Sequence, residues 1–212
     1  MPSHQSDPAK ASQHYFSAAP NSPSSVREIE LILPEGKVVV LNTDRGTFSP
    51  ERVDAGTRAL LLDAPEIADA NNLVDLGCGY GPIAISMALR AQPGATVWAV
   101  DVNQRSRDLC RANAERNGVG EMVRVISPEQ YPVEVKVDQL WSNPPIRIGK
   151  AALHELLRTW LDRLNESGTA AIVVQKHLGA DSLARWLNEQ GWNTTRRATR
   201  GQYRLLDIEA KK

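Results

Sequence analysis

Three groups of residues have the type and spacing to bind a small ligand and act on it. The first is Asp75-Leu76-Gly77-Cys78-Gly79-Tyr80-Gly81, in which glycine recurs at alternate positions. Glycines allow a sharp turn and let a ligand approach backbone that a Cβ would shield. The second is Asp101, which closes the next apolar run. It lies about 20 residues beyond the glycines, where an acidic group meets ribose hydroxyls in nucleotide-binding folds. Dinucleotides and S-adenosylmethionine share this layout. The dinucleotide pattern asks for Gly or Ala as its third small residue, and in register with Gly77 and Gly79 that position is Pro82. The third group is Ser142-Asn143-Pro144-Pro145-Ile146. Consecutive prolines fix φ and donate no N–H, so their carbonyls can be held towards a cleft. The Asn143 side-chain oxygen and the Pro144 carbonyl can then accept from one –NH2 group. Two acceptors on an exocyclic amine favour its pyramidal form and free a lone pair otherwise delocalised into the ring. Such chemistry rests on positioning and needs no strong base. The bland alternatives are a glycine turn without a ligand and a Pro-Pro pair that merely ends a strand.

These residues need a scaffold that brings them to one edge. From residue 73, the apolar runs Leu73–Leu76, Thr96–Val100, Val123–Ile126, Gln139–Trp141 and Ala170–Val174 alternate with longer amphipathic stretches. That alternation predicts buried parallel strands in a doubly wound α/β fold, whose ligands bind at the carboxyl ends of the strands. A helix is expected over Gln104–Arg116, stopped by Asn117-Gly118. Another carries Leu153, Leu156, Leu157, Trp160, Leu161 and Leu164 on one face. Upstream, Arg27–Leu33 and Lys37–Thr43 read as a hairpin turned by Pro34-Glu35-Gly36, and Pro50–Leu62 has helical spacing. Downstream, a helix over Ser182–Glu189 precedes strand-like Trp192–Arg196 and Tyr203–Ile208. Residues 1–12 are expected to be disordered. Residues 13–212 are expected to form one domain, an N-terminal extension over 13–70 and a cofactor-binding core over 71–212.

Asp75 at the head of the glycine run and the third glycine at Gly81 resemble motif I of class I methyltransferases. The whole chain resembles the small-domain methyltransferases typified by the ribosomal RNA small subunit methyltransferase C group, and is similar to its single-domain archaeal-type members. The likeness runs through His14-Tyr15-Phe16-Ser17, Gly46-Thr47-Phe48-Ser49 and Val53-Asp54-Ala55-Gly56-Thr57. It continues over Asn143–Arg147 with Gly149-Lys150, and over Gly201-Gln202-Tyr203-Arg204. The resemblance implies a Rossmann-like seven-stranded sheet, mostly parallel with an antiparallel last strand, plus an N-terminal β-hairpin extension. It implies S-adenosyl-L-methionine held by Asp75, Gly77, Cys78, Gly79, Gly81, Asp101, Val102 and Asn143. Asn143 and Pro144 would hold the target amine, with Phe48, Asp54, Thr57, Pro145, Ile146 and Arg147 lining the substrate side. The implied substrate is guanine N2 in 16S rRNA. Two positions depart from relatives. Ser127-Pro128-Glu129 stands where they often carry an Asp for the adenine amino group. Ile146 replaces the aromatic that adenine- and glutamine-methylating relatives stack on a planar group, which agrees with the guanine-N2 group.

Composition sets outer bounds. Of 212 residues, 42% are hydrophobic and 24% charged, as in an ordinary globular domain. Cys78 and Cys110 make no disulfide framework and suit a reducing cytoplasm. No apolar run spans a bilayer, no secretory h-region opens the chain, and the four histidines lack metal-ligand spacing. Neither a membrane nor a metal partner is expected. The 25 basic and 25 acidic side chains cancel, which argues against indiscriminate nucleic-acid binding but allows a local patch. Arg147, Lys150, Arg196, Arg197, Arg200 and Arg204 are candidates for a rim against RNA phosphates, or for a merely solvated hairpin. Three rival readings remain: a protein-glutamine methyltransferase, a dinucleotide-dependent oxidoreductase, and an inactive RNA-binding module on the same fold.

Overall fold

The computed structural model describes residues 25–44, 51–67 and 69–211. The expected disorder of residues 1–12, the motifs at 14–17 and 46–49, and Phe48 lie outside the described residues. The first element among the described residues is an antiparallel hairpin of β1 (Arg27–Ile32) and β2 (Val38–Thr43), as its turn chemistry predicts. Helix α1 (Ala55–Asp63) follows. It starts later than its helical spacing suggests, because the Asp54 side chain accepts from Gly56 N and Thr57 N and caps it there.

The core then alternates β3 (Asn72–Leu76), α2 (Pro82–Arg90), β4 (Thr96–Val100), α3 (Gln104–Arg116), β5 (Val123–Ile126), β6 (Val137–Ser142), α4 (Lys150–Leu161), β7 (Leu164–Gln175) and α5 (Ala180–Glu189). Strands β8 (Asn193–Arg200) and β9 (Tyr203–Glu209) close the chain. The seven-stranded sheet has the order β5-β4-β3-β6-β7-β9-β8. Strands β3 to β7 pair in parallel, and β9 runs antiparallel between β7 and β8. The chain winds outward from β3 to β5, then returns to β6 on the other side of β3. Ligands bind where the strand order reverses in this way.

Successive side chains of β3 serve opposite faces, so Leu73 belongs to one apolar cluster, with Leu60, Ile85 and Val97, and Val74 to the other, with Leu140, Leu157 and Leu187. Both faces are covered by helices, which is why the strands read as continuous apolar runs. The hairpin is joined to this core by two asparagines one turn apart, Asn113 on α3 and Asn117 at its C-cap. Asn113 Oδ1 accepts from Asn42 N at 2.8 Å, and Asn117 Oδ1 accepts from Val40 N at 3.1 Å. Their amide groups donate back to Asn42 O and Val40 O, each at 2.9 Å. One expectation fails locally: Leu164 does not continue α4. Asp162 caps that helix and Leu164 pairs with Val137 as the first residue of β7. Its apolar side chain serves the same core from a strand.

Candidate active site

A cavity of about 390 Å³ opens at the carboxyl ends of β3, β4 and β6. The loop after β3 forms its floor and is stitched to the end of β4. Gly77 N and Cys78 N donate to Val100 O at 2.8 and 3.0 Å. Gly79 N donates to Asp101 Oδ2 at 2.9 Å, and Asn103 N donates to Asp101 Oδ1 at 2.8 Å. Burial raises the pKa of Asp101, opposed by those N–H donors. Gly77 and Gly79 have φ of +78° and +54°, and nothing stands within 4 Å of where a Cβ would be at either. Both line the cavity, together with Asp101 and Val102. The open backbone and the neighbouring carboxylate form a cradle that fits the ribose and amino-acid parts of S-adenosylmethionine.

Two residues expected at the cofactor stand behind this wall. Asp75 is fully buried and does not line the cavity. Its Oδ2 accepts from Ala84 N at 2.8 Å, pinning the start of α2 to β3, and its Oδ1 has no partner among the described residues. Burial pushes its pKa up to about 8, against that N–H bond. Gly81 (φ +96°) is likewise off the wall, and a Cβ there would meet Cys110 Sγ at 2.8 Å. Its missing side chain lets α2 start close against α3. Cys78 does line the cavity, and its pKa is pushed up by a hydrogen bond with Cys110 and by burial. A thiol held protonated in this way is a poor nucleophile.

The loop after β6 forms the opposite wall. Ser142 Oγ donates to Leu76 O at 2.6 Å, tying the end of β6 to the end of β3. Asn143 Nδ2 donates to Asp54 Oδ2 at 2.8 Å and to Thr57 Oγ1 at 3.2 Å. An ionised carboxylate only accepts, so the Asn143 amide has its –NH2 towards Asp54 and its Oδ1 on the other branch. The Pro144 carbonyl already accepts from Ile146 N at 2.8 Å, which leaves one of its two lone pairs. Asp54, Thr57, Pro145, Ile146 and Arg147 all line the cavity.

Residues to which the sequence assigned no role of their own complete the wall, notably Tyr80, Gln175 and Tyr203. Gln175 Nε2 donates to Tyr203 Oη at 3.0 Å. Gly56 makes room for that ring, since a Cβ there would stand 2.9 Å from Tyr203 Cε1. The available signal was positional: Gln175 ends β7 and Tyr203 begins β9, both at the edge where such sheets bind ligands. Burial raises the pKa of Tyr80, with a smaller contribution from Asp54, so Tyr80 stays a neutral phenol.

The basic rim differs from expectation. Arg196 and Arg204 both face Asp181, Arg197 binds Asp207 at 2.8 Å, and Arg200 binds Asp63 at 2.6 Å. The arginines of the C-terminal hairpin are therefore already paired, with Asp63 of α1, Asp181 of α5 and Asp207 of β9. Arg147 and Lys150 are exposed and have no ion-pair partner among the described residues. No helix among those residues is long and apolar enough to cross a membrane, and no group of three metal-ligating side chains forms.

Several known proteins are similar to this chain. The Bacillus subtilis protein YbxB is 34% identical over 184 residues, covering 84% of this chain and 89% of its own. Ribosomal RNA small subunit methyltransferase C of Shewanella pealeana is 31% identical over 153 residues, 70% of this chain. The match covers 43% of that relative, so this chain spans less than half its length. The solved structure of the T. thermophilus 16S rRNA N2 G1207 methyltransferase, in complex with AdoMet and guanosine, matches with a TM-score of 0.76 at 22% identity. That match covers 91% of this chain and 52% of the other, a likeness of fold. Residues 38–207 match the methyltransferase small domain, and with that match over most of its length, the chain belongs to the methyltransferase small domain family.

Proposed function

We infer that this methyltransferase uses S-adenosyl-L-methionine to methylate an exocyclic amine, and that the amine is N2 of a guanine in 16S rRNA. The observation that carries the reading is the fixed Asn143 amide: Asp54 and Thr57 hold its –NH2, leaving Oδ1 to accept from a substrate amine. When bound, S-adenosylmethionine supplies a methyl carbon whose bond to sulfur breaks as the amine lone pair forms the new C–N bond, the sulfur keeping the electron pair as a neutral thioether. The chain contributes placement. Asn143 Oδ1 and the free lone pair of Pro144 O take the two amine hydrogens, so the nitrogen lone pair faces the cradle built by Gly77, Gly79 and Asp101. Held acceptors that need not reorganise are worth most where charge develops, here on the amine nitrogen. The proton leaves to solvent through the open mouth.

Guanine N2 is favoured by Ile146, which offers no aromatic face for an adenine or a glutamine amide, and by the likeness to the methyltransferase C relatives. A base in a duplex must be turned out of its stack to enter such a cavity. The substrate partner is then small-subunit RNA in the cytoplasm. The reading is tested by incubating the purified protein with methyl-labelled cofactor and total RNA from a strain lacking the gene. Nucleoside analysis should find label in N2-methylguanosine alone. Label in a protein glutamine with RNA unmodified would replace the substrate, and no transfer to either would remove the activity.

A further inference from the structure

We propose that Asp54 selects the substrate base, Oδ2 fixing the Asn143 amide and Oδ1 accepting the N1–H of guanine; this rests on the methyl-transfer reading above. The two oxygens of Asp54 have different company. Oδ2 accepts three bonds, from Gly56 N at 2.8 Å, Thr57 N at 3.3 Å and Asn143 Nδ2 at 2.8 Å. Oδ1 accepts from nothing among the described residues, although Asp54 lines the cavity. An acceptor-only oxygen therefore stands beside the place where the target amine must sit to reach Asn143 Oδ1.

What flanks an exocyclic amine differs between bases. In guanine the amine at C2 lies between N1–H, a donor, and N3, an acceptor. In adenine the amine at C6 has an unprotonated N1 beside it, in cytosine an unprotonated N3, and in a glutamine amide a carbonyl oxygen. Each of those neighbours is an acceptor, and each would oppose a carboxylate oxygen. Guanine alone offers a hydrogen, and in one orientation only, with N1 towards Asp54 and N3 away. Oδ1 thus selects the base and sets which way it enters. Discrimination of this kind is strong, because a wrong partner leaves buried polar groups unpaired.

Asp54→Asn separates the two functions. Asn is as good a helix cap as Asp. Its amide oxygen can keep the place of Oδ2, capping α1 and accepting from Asn143, while its –NH2 takes the place of Oδ1. A cavity acceptor becomes a donor with little change of shape. The substrates are short RNAs with guanine or 2-aminopurine at the methylated position. 2-Aminopurine keeps the C2 amine and N3 but has an unprotonated N1. Wild type should prefer guanine, and Asp54→Asn should lose on the order of tenfold to a hundredfold in kcat/KM on guanine, the worth of one bond to a charged group. Its preference should shift towards 2-aminopurine, with cofactor Kd changed by no more than a few fold. Asp54→Ser, which keeps a capping oxygen and has no second one, should lose guanine activity without that shift, and guards against misfolding of the amide variant. If Asp54→Asn keeps the wild-type preference for guanine, or loses both substrates equally, the proposal is overturned while the methyl-transfer reading stands. If wild type methylates neither RNA, that reading falls and the proposal falls with it.

Discussion

Asn143 is committed by its neighbours before any substrate arrives. Its –NH2 is spent on Asp54 and Thr57, so an alanine there removes a placed acceptor and little packing. Asn143→Ala should leave cofactor affinity within a few fold and lower kcat by on the order of a hundredfold, the scale set by losing one preorganised hydrogen-bonding group. Single-turnover kinetics beside calorimetry separates the two, and near-normal turnover would take Asn143 out of its role. Asp101 is subtler than its motif suggested. Both of its oxygens hold backbone N–H groups, of Gly79 and Asn103, so it shapes the loop as well as facing the cavity. Asp101→Ala should weaken cofactor binding by roughly 1–3 kcal/mol, measured by calorimetry. If affinity is unchanged, neither the loop nor the ribose depends on it.

Elements were legible where local chemistry and tertiary need agreed. The hairpin turn at residues 34–36, the stop after Arg116 and the alternation of strands and helices from residue 73 all read directly from pattern, because both sheet faces are buried. Leu164 misled because its spacing continues the leucine stripe of α4 while the chain turns into β7. The side chains of Asn113 and Asn117 were invisible as struts, since their partners in β2 lie some 70 residues earlier in the chain. Motif I shows the same limit within an element. Asp75 and Gly81 belong to the motif but serve the start of α2, one through Ala84 N and the other by yielding space to Cys110. That placement has a consequence for stability. The folded pKa of Asp75, about 8, stands above the ordinary carboxylate value near 4. Between those limits the unfolded chain gives up a proton that the folded chain keeps. Asp75 therefore favours folding most below about pH 4 and loses that contribution as pH rises towards 8, by about 1 kcal/mol per pH unit. Asp75→Asn, which cannot ionise, should gain on wild type in urea unfolding between pH 5 and pH 8. A difference that is constant across that range would mean Asp75 is ionised in the fold.

For the whole molecule the governing fact is balance of charge, 25 basic against 25 acidic side chains. Sequence suggested one basic rim made of Arg147, Lys150 and the C-terminal arginines. Composition cannot say which cations are already spent, because the carboxylates that neutralise the hairpin come from Asp63, Asp181 and Asp207, far apart in the chain. The exposed pairs among them, such as Arg197 with Asp207 and Arg200 with Asp63, contribute little to stability, about 0–1 kcal/mol each, yet they cancel positive field at the hairpin. Arg147 and Lys150 keep their charge, in the turn and helix that continue the Asn-Pro-Pro loop. RNA should then be bound weakly, steered by few phosphate contacts, with specificity left to the base in the cavity. Each phosphate contact contributes a slope of about one to the fall of log affinity with log salt concentration. The double variant Arg147→Ala, Lys150→Ala should lower that slope by about two, as read by fluorescence anisotropy of a labelled 16S rRNA fragment across a potassium chloride series, and should leave cofactor affinity intact. Arg197→Ala and Arg200→Ala, which only break internal pairs, should leave the slope as it is. If the hairpin variants flatten the salt dependence as much as the double variant does, the RNA crosses the hairpin and opens those pairs on binding.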